Sequence, residues 1–262
     1  ISSGNQKKYS TNVYEAVQVN DFILNGTNKI SNIGFNHNFK TIIKNVNSDG
    51  KNSSKLKDKS QSEILSMITY DIGLPLIKNN NSFNNLLTPK LSMRYSPNDT
   101  KNLKDEARKL NTDNIFSLNR IGYNDTIESG TSLTLGLDFE KKRKENNDTF
   151  LSSKIGTVFR DELNENLPLT STLGKKQSDF VGEINFVPSS NFKIDYNYSL
   201  KNNLDEINLH NFETEFSVNN FVNTFTFYEE NNLVGDKSYY ENEFAYNFDQ
   251  KNSLSFKTRN NK

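Results

Sequence analysis

The sequence predicts an all-β protein, an antiparallel transmembrane β-barrel of the outer membrane with about twelve strands. Three observations predict this fold. Apolar and polar residues alternate along many segments, the segments are long, and short and long connections alternate between them. Strands of about 9–11 residues cross a bilayer when tilted, whereas strands of soluble proteins are most often about 5–6 residues long. The combination favours a membrane barrel over a soluble sandwich.

The composition excludes several other classes of protein. Hydrophobic residues make up only 33% of the chain, less than in ordinary soluble domains. Disordered chains combine low hydrophobicity with high net charge and few aromatic residues, but this chain has a net charge of +0 and 11% aromatic residues. The balanced charge gives no reason to expect a nucleic acid partner. No stretch of about 18 apolar residues occurs, so a chain of this sequence would cross a membrane with strands.

Alternation is clearest in the segment NFKIDYNYSL. Every second residue of this segment is apolar, and in a strand these residues share one face: Phe192, Ile194, Tyr196, Tyr198 and Leu200. The same pattern predicts twelve strands, at residues 10–24, 29–44, 62–77, 84–96, 131–140, 149–160, 178–187, 192–201, 207–218, 222–229, 238–248 and 253–260. The polar faces of the later strands are expected to line a lumen, with Lys193, Asp195, Glu213, Glu215, Glu241 and Glu243. Asn223 and Asn242 interrupt the apolar face.

The predicted connections alternate in length along the chain. Short turns are predicted near Asn25-Gly26, 78–82, 141–147, 188–191, 219–221 and 249–252, and longer loops near 45–61, 97–130, 161–177, 202–206 and 230–237. Outer-membrane barrels have short periplasmic turns and longer extracellular loops. Alternation of apolar and polar residues alone also fits a soluble β-sandwich or solenoid. The alternation of short and long connections is therefore the observation that favours the membrane barrel.

No motif in the chain predicts catalysis. His37 and His210 have no partner at metal-ligand spacing, and no nucleophile elbow or phosphate-binding loop occurs. We expect no enzyme activity, no cofactor and no metal. The basic run Lys141–Lys144 is interpreted as a solvated turn, and Leu103–Leu110 predicts a short helix in the longest loop.

Three segments resemble the LPS-assembly outer-membrane protein family, LptD. The segments are GLPLIK (Gly73–Lys78), LTPKLSMRYSP (Leu87–Pro97) and NIFSLNRIGYNDTIESGTSLTLGL (Asn114–Leu137). The last of these resembles a loop of the family. The positions that match this loop are the candidate lumen or extracellular loop residues Phe116, Asn119, Arg120, Gly122 and Asp125. A role in the fold of the loop is preferred for them over direct contact with lipopolysaccharide.

The resemblance implies a binding and conduit function in the outer membrane of a Gram-negative cell. The implied partners are lipopolysaccharide, an LptE-like plug lipoprotein, outer-membrane lipid and a periplasmic LPS-bridge protein that is reached through an N-terminal domain. Residues 1–262 are expected to be an internal fragment of a single, larger barrel domain. Two alternatives remain at this point, a general outer-membrane porin or channel and a soluble β-rich surface-binding module.

Overall fold

The computed structural model describes residues 13–53, 56–231, 236–249 and 251–261. These residues form one antiparallel sheet of fourteen strands. Within them, the only helical element is a 3-10 turn at Leu169–Ser171, and no helix is long and apolar enough to span a membrane. The predicted all-β antiparallel fold is confirmed.

The strands are β1 Tyr14–Asn25, β2 Lys29–Ile30, β3 Asn36–Lys51, β4 Gln61–Gly73, β5 Leu76–Asn79, β6 Phe83–Ser96, β7 Gly130–Arg143, β8 Thr149–Arg160, β9 Phe180–Ser189, β10 Phe192–Leu200, β11 Ile207–Val218, β12 Phe221–Glu230, β13 Lys237–Asn247 and β14 Ser253–Asn261.

Two predicted strands are divided in the structure. The predicted strand 29–44 becomes β2 and β3, and β3 continues to Lys51 because it pairs with β1 on one side and β4 on the other. The predicted loop 45–61 is therefore shorter. The predicted strand 62–77 becomes β4 and β5. Pro75 lies at this break and has no amide hydrogen for the strand ladder, whereas its neighbour Leu74 donates to Pro89 O of β6 at 3.1 Å.

The strands follow one another in the sheet in the order of the chain. The path runs β1-β3-β4-β6 and then without interruption to β14, with β2 and β5 as short strands beside β3 and β6. Among the described residues β1 and β14 do not pair with each other, so the sheet is open. Of the predicted first strand, residues 10–12 lie outside the described residues.

The connections at the two ends of the sheet differ in length. One end, the turn end, includes the two-residue connections 190–191 and 219–220, and the other, the loop end, includes residues 97–129 and 161–179. The predicted alternation is therefore observed along most of the chain. It is wrong at the predicted turn Asn25-Gly26, because residues 26–35 connect β1 to β3 and contain β2.

The two faces of the sheet differ in chemistry. We call the face that contacts residues 97–129 the inner face and the opposite face the outer face. The outer face carries exposed apolar side chains, among them Phe22, Ile43, Ile68, Met93, Leu135, Phe216 and Phe244. The predicted lumen positions lie together on the inner face, since Lys193 is opposite Glu215, Asp195 is opposite Glu213 and Thr226 is opposite both Glu213 and Glu241.

The two asparagines that interrupt the apolar pattern are paired on the outer face. Asn223 Nδ2 donates a hydrogen bond of 3.0 Å to Asn242 Oδ1. The predicted register is therefore correct at these positions. Each amide partly satisfies the other, which lowers the cost of placing them away from water.

Candidate functional site: the loop on the inner face

Residues 97–129 connect β6 to β7 and fold onto the inner face. Their buried apolar side chains form one cluster with β8, β9 and the connection 161–179, and its members are Leu103, Leu110, Ile115, Ile121, Val158, Leu167, Leu173 and Val181. A second cluster joins Ile127 to Ile42, Val46, Leu65 and Met67. Burying one such side chain contributes about 1.5–3 kcal/mol. The loop is therefore a packed part of the structure.

The predicted helix at Leu103–Leu110 is wrong. A single turn occurs near Lys104, and the backbone bonds instead to the connection 161–179. Leu103 N donates to Asn166 O at 2.7 Å, and Leu169 N donates to Lys104 O at 3.2 Å. The two connections satisfy each other's backbone groups, which replaces the internal hydrogen bonds of a helix.

A buried charge cluster holds the second half of the loop. Arg120 makes a bidentate pair with Glu128, through Nε at 2.6 Å and a terminal nitrogen at 2.5 Å. Arg120 also donates to Ser132 and Thr134 on the inner face of β7, each at 2.8 Å. Arg120 is 1% exposed and Glu128 is 3% exposed. The pair is therefore shielded from solvent and anchors the loop to β7.

Two further arginines from the strands complete this cluster. Arg160 of β8 pairs with Glu128 and bonds to Ser129 O. Arg94 of β6 lies 3.7 Å from Glu128 and donates to Ser117 O at 2.7 Å and Leu118 O at 3.1 Å. Three guanidinium groups thus surround one carboxylate. Such a cluster is stabilising only while it is complete, because each partner left alone would be a buried charge.

The protonation of Glu128 follows from its surroundings. Burial alone would raise the pKa of this carboxyl, but the charge of Arg120 and its hydrogen bonds, with Arg94 and Arg160, lower the pKa from 4.5 to about 2. Glu128 is therefore ionised at neutral pH.

The first half of the loop is attached to strands further along the chain. Lys109 Nζ donates to Glu230 Oε2 at 2.5 Å and to the hydroxyl of Tyr228 at 2.9 Å, both on β12. The hydroxyl of Thr112 donates to Glu183 of β9. The loop consequently bridges β6 and β7 to strands that lie well beyond them in the sheet.

Facing glycines make room for the centre of the loop. Gly136 of β7 is opposite Gly156 of β8. A Cβ atom on Gly136 would meet the ring of Phe116 at 2.6 Å, and one on Gly156 would meet Ile115 at 2.9 Å. Phe116 also lies 5.6 Å below the ammonium of Lys90. The predicted residue Phe116 thus packs closely against the inner face of the sheet at Gly136.

The other predicted residues have local roles in the loop. Asn119 caps a turn, because its Oδ1 accepts from Gly122 N at 3.0 Å and its Nδ2 donates to Tyr123 O at 3.1 Å. Gly122 has φ +78°, a conformation that side chains rarely adopt, and the guanidinium of Arg108 lies against it. Asp125 pairs with Lys101 at 2.5 Å near the surface. Each of these five predicted residues has a contact that shapes the loop.

The inner face beyond the loop is open and acidic. On β9 to β11 a polar cavity of about 470 Å³ is lined by residues that include Glu183, Asp195 and Glu213. Lys193 pairs with Asp195 at 2.5 Å. Within the described residues, no group of three or more His, Cys, Asp or Glu side chains is arranged to hold a metal ion. This surface offers hydrogen-bond acceptors and negative charge to a polar partner.

Sequence reasoning missed Glu128, Arg94 and Arg160. A signal was present, since the chain has only six arginines and is otherwise rich in lysine. Three of the six meet in one cluster, and arginine is the cation that best matches a buried carboxylate. Arg94 also occupies a polar position of a strand that was predicted to alternate.

The sheet and the loop together define a class of protein. An up-and-down antiparallel sheet with a polar inner face, an apolar outer face and a long loop folded inward is the architecture of barrel-like outer-membrane proteins. The sequence model of LptD, LPS transport system D, matches residues 43–257, more than four-fifths of the chain, and the chain belongs to this family. No curated protein matches it. The resemblance is confirmed, and membership of this family indicates a role in LPS transport.

Proposed function

We propose that the chain forms part of the outer-membrane translocon that assembles lipopolysaccharide into the outer leaflet. The observation that carries the proposal is the division of the sheet into two faces. Its outer face exposes apolar side chains such as Ile68 and Phe244, as a lipid-facing wall requires, and its inner face is polar. In the family this wall is part of a closed barrel in the outer membrane.

The chain acts in this proposal as a conduit, without making or breaking bonds. Lipopolysaccharide and an LptE-like plug lipoprotein are the proposed partners of the barrel, together with a periplasmic LPS-bridge protein that delivers the lipid. The inner face of β10–β13 away from the loop end is the part suited to a plug. Its half-buried polar side chains, among them Asp195 and Glu213, are free of the loop and face the same side.

A general porin is the second candidate, and its polar lumen would look similar. The loop at 97–129 argues against it. This loop fills the inner face of β3–β9 with an apolar cluster around Ile115 and a buried ion cluster around Glu128. A porin keeps a water-filled channel, whereas here the inner face is packed over half of the sheet.

The proposal is tested in cells that carry the full-length gene under a repressible promoter. Repression should lower newly made surface lipopolysaccharide several-fold, measured with an impermeant antibody, and leave uptake of a small solute unchanged. Re-expression of the full-length protein should restore the surface signal. An unchanged surface signal with reduced solute uptake would support the porin and refute the translocon.

A further inference from the structure

The basic run Lys141–Lys144 lies at the turn end of β7, and its side chains divide between the two faces. Lys142 points to the inner face and pairs with Glu140 at 3.1 Å. Lys141 and Arg143 alternate with it and share the outer face with Phe139, Leu137 and Leu135. Part of this run therefore belongs to the apolar surface and is not simply a solvated turn.

Aromatic rings surround these two cations. The rings of Phe83, Phe150 and Phe186 form a row, with centroids 5.1 Å and 5.2 Å apart. Lys141 Nζ lies 4.2 Å from the centroid of Phe83 and 5.1 Å from that of Phe150, and Arg143 Cζ lies 5.0 Å from Phe150. Cations at these distances are attracted to the faces of the rings. The rings hold the positive groups against the sheet.

The charge of this patch is not neutralised by acidic side chains. Within the described residues, no Asp or Glu forms an ion pair with Lys141 or Arg143. Arg143 is fixed in place, because one guanidinium nitrogen donates to Val187 O at 2.6 Å and Pro188 O at 2.7 Å. Lys78 of β5 adds a third cation to the same row, since it is opposite Asn85, which is opposite Lys141.

In a sheet that spans the outer membrane as proposed, the patch lies where the bilayer changes from hydrocarbon to headgroups. Phe139, on the same face of β7, is two residues from Lys141 and four from Arg143. At about 3.4 Å per residue, the cations are roughly 7 Å and 14 Å beyond Phe139 along β7. Long basic side chains at such positions extend their charge to the interface, and aromatic rings concentrate there.

We propose that Lys78, Lys141, Arg143 and the three phenylalanines form a binding site for the phosphate headgroup of an anionic phospholipid. This lipid belongs to the leaflet at the turn end of the sheet. This inference rests on the proposed function, since it requires the sheet to lie in the outer membrane. The ligand has a phosphodiester headgroup for the cations and acyl chains for the apolar surface beside Phe139. Short turns mark the periplasmic side, so the site selects lipid in the periplasmic leaflet.

The test uses the full-length protein in nanodiscs of phosphatidylcholine doped with phosphatidylglycerol. Native mass spectrometry measures which lipid stays bound. The wild-type protein should retain phosphatidylglycerol preferentially, and Lys78→Gln with Lys141→Gln should lower this preference roughly 30-fold, as the loss of two interfacial cations predicts. The matched control is Lys175→Gln with Lys176→Gln, which removes two exposed lysines at the loop end and should leave the preference unchanged.

A conservative variant and an insertion assay complete the test. Lys141→Arg keeps the charge and should keep the preference, which separates charge from folding defects. If the double glutamine variant binds phosphatidylglycerol like the wild type, the site is refuted. If the wild-type protein does not enter the bilayer, the proposed function fails as well, whereas insertion without lipid preference refutes the lipid site alone.

Discussion

The inner face is built differently under the loop and beyond it. Under the loop, inner positions carry buried side chains such as Met67, Arg94 and Val158. On β10–β13, away from the loop end, the equivalent positions carry half-buried or exposed side chains such as Asp195 and Glu215. Both regions have the same alternation in the sequence. The difference teaches that alternation decides which face a residue occupies, while the connections decide how far that face is buried.

The largest difference between the two regions is expected for the loss of a carboxylate. Glu128→Ala would leave three guanidinium groups buried without their common partner, which should cost about 3–5 kcal/mol in the free energy of unfolding. Glu215→Ala, on the open region, should change it by less than about 0.5 kcal/mol. Urea unfolding of the full-length protein in detergent, with proteolysis of residues 97–129, measures both. Equal effects of the two variants would contradict the comparison.

Acid should weaken the attachment of the loop in the covered region. The pKa of Glu128 is about 2 in the folded protein and 4.5 ordinarily, so its contribution is complete above pH 4.5 and is lost as the pH falls toward 2. The contribution is on the order of 3 kcal/mol. Proteolysis of the loop should accelerate across this pH range. In Glu128→Gln the same pH range should have little effect, and a wild-type profile in that variant would rule out this carboxylate as the cause.

A third comparison sets the outer face against the open inner face of β13. Phe244 is 43% exposed on the outer face, and Phe244→Asp should cost about 2 kcal/mol because it places a charge in lipid. Glu243 pairs with Lys257 at 3.0 Å on the inner face, where both are partly exposed, so Glu243→Ala should cost less than about 1 kcal/mol. Refolding yield in detergent ranks the two variants. The reverse ranking would mean that the register of β13 is shifted by one residue.

The smallest expected effect on the free energy of unfolding is at Gly136, the glycine of the inner face that contacts the loop. Gly136→Ala should displace the ring of Phe116 at a cost of roughly 1–2 kcal/mol. Gly73→Ala is the control, because its new methyl group would find only ordinary contacts, the nearest at 3.7 Å. Thermal unfolding of both variants, with proteolysis of the loop, makes the measurement. A stable, protected loop in Gly136→Ala would show that Phe116 does not hold it.

Most of the strand pattern could be predicted from the sequence, because alternation is a local property. Residues 149–160 and 207–218 were predicted with their observed bounds, and both end at clear turn residues. The division at Pro75 was missed. The alternation of apolar residues from Ile68 to Leu76 runs through this proline, so the pattern alone does not show the break.

The candidate site was predicted only in part, for the same reason. A resemblance located Arg120 and its neighbours, but the partner Glu128 and the arginines of β6 and β8 meet only in the folded sheet. The helix expected at Leu103–Leu110 failed because these residues bond to a connection some sixty residues away, with Arg108 N reaching Thr170 at a separation of 62. The helix propensity of a short segment does not predict a contact with residues so far away in the sequence.

The bond between Lys109 and Glu230 has a consequence for the order of folding. It joins residues that are 121 positions apart, so it forms only after β12 has joined the sheet. Contacts this distant in sequence are slow to form, because the intervening chain must first lose its freedom. Attachment of the first half of the loop at Lys109 is therefore a late step, and an intermediate that stops before β12 holds the loop only through its contacts with the earlier strands.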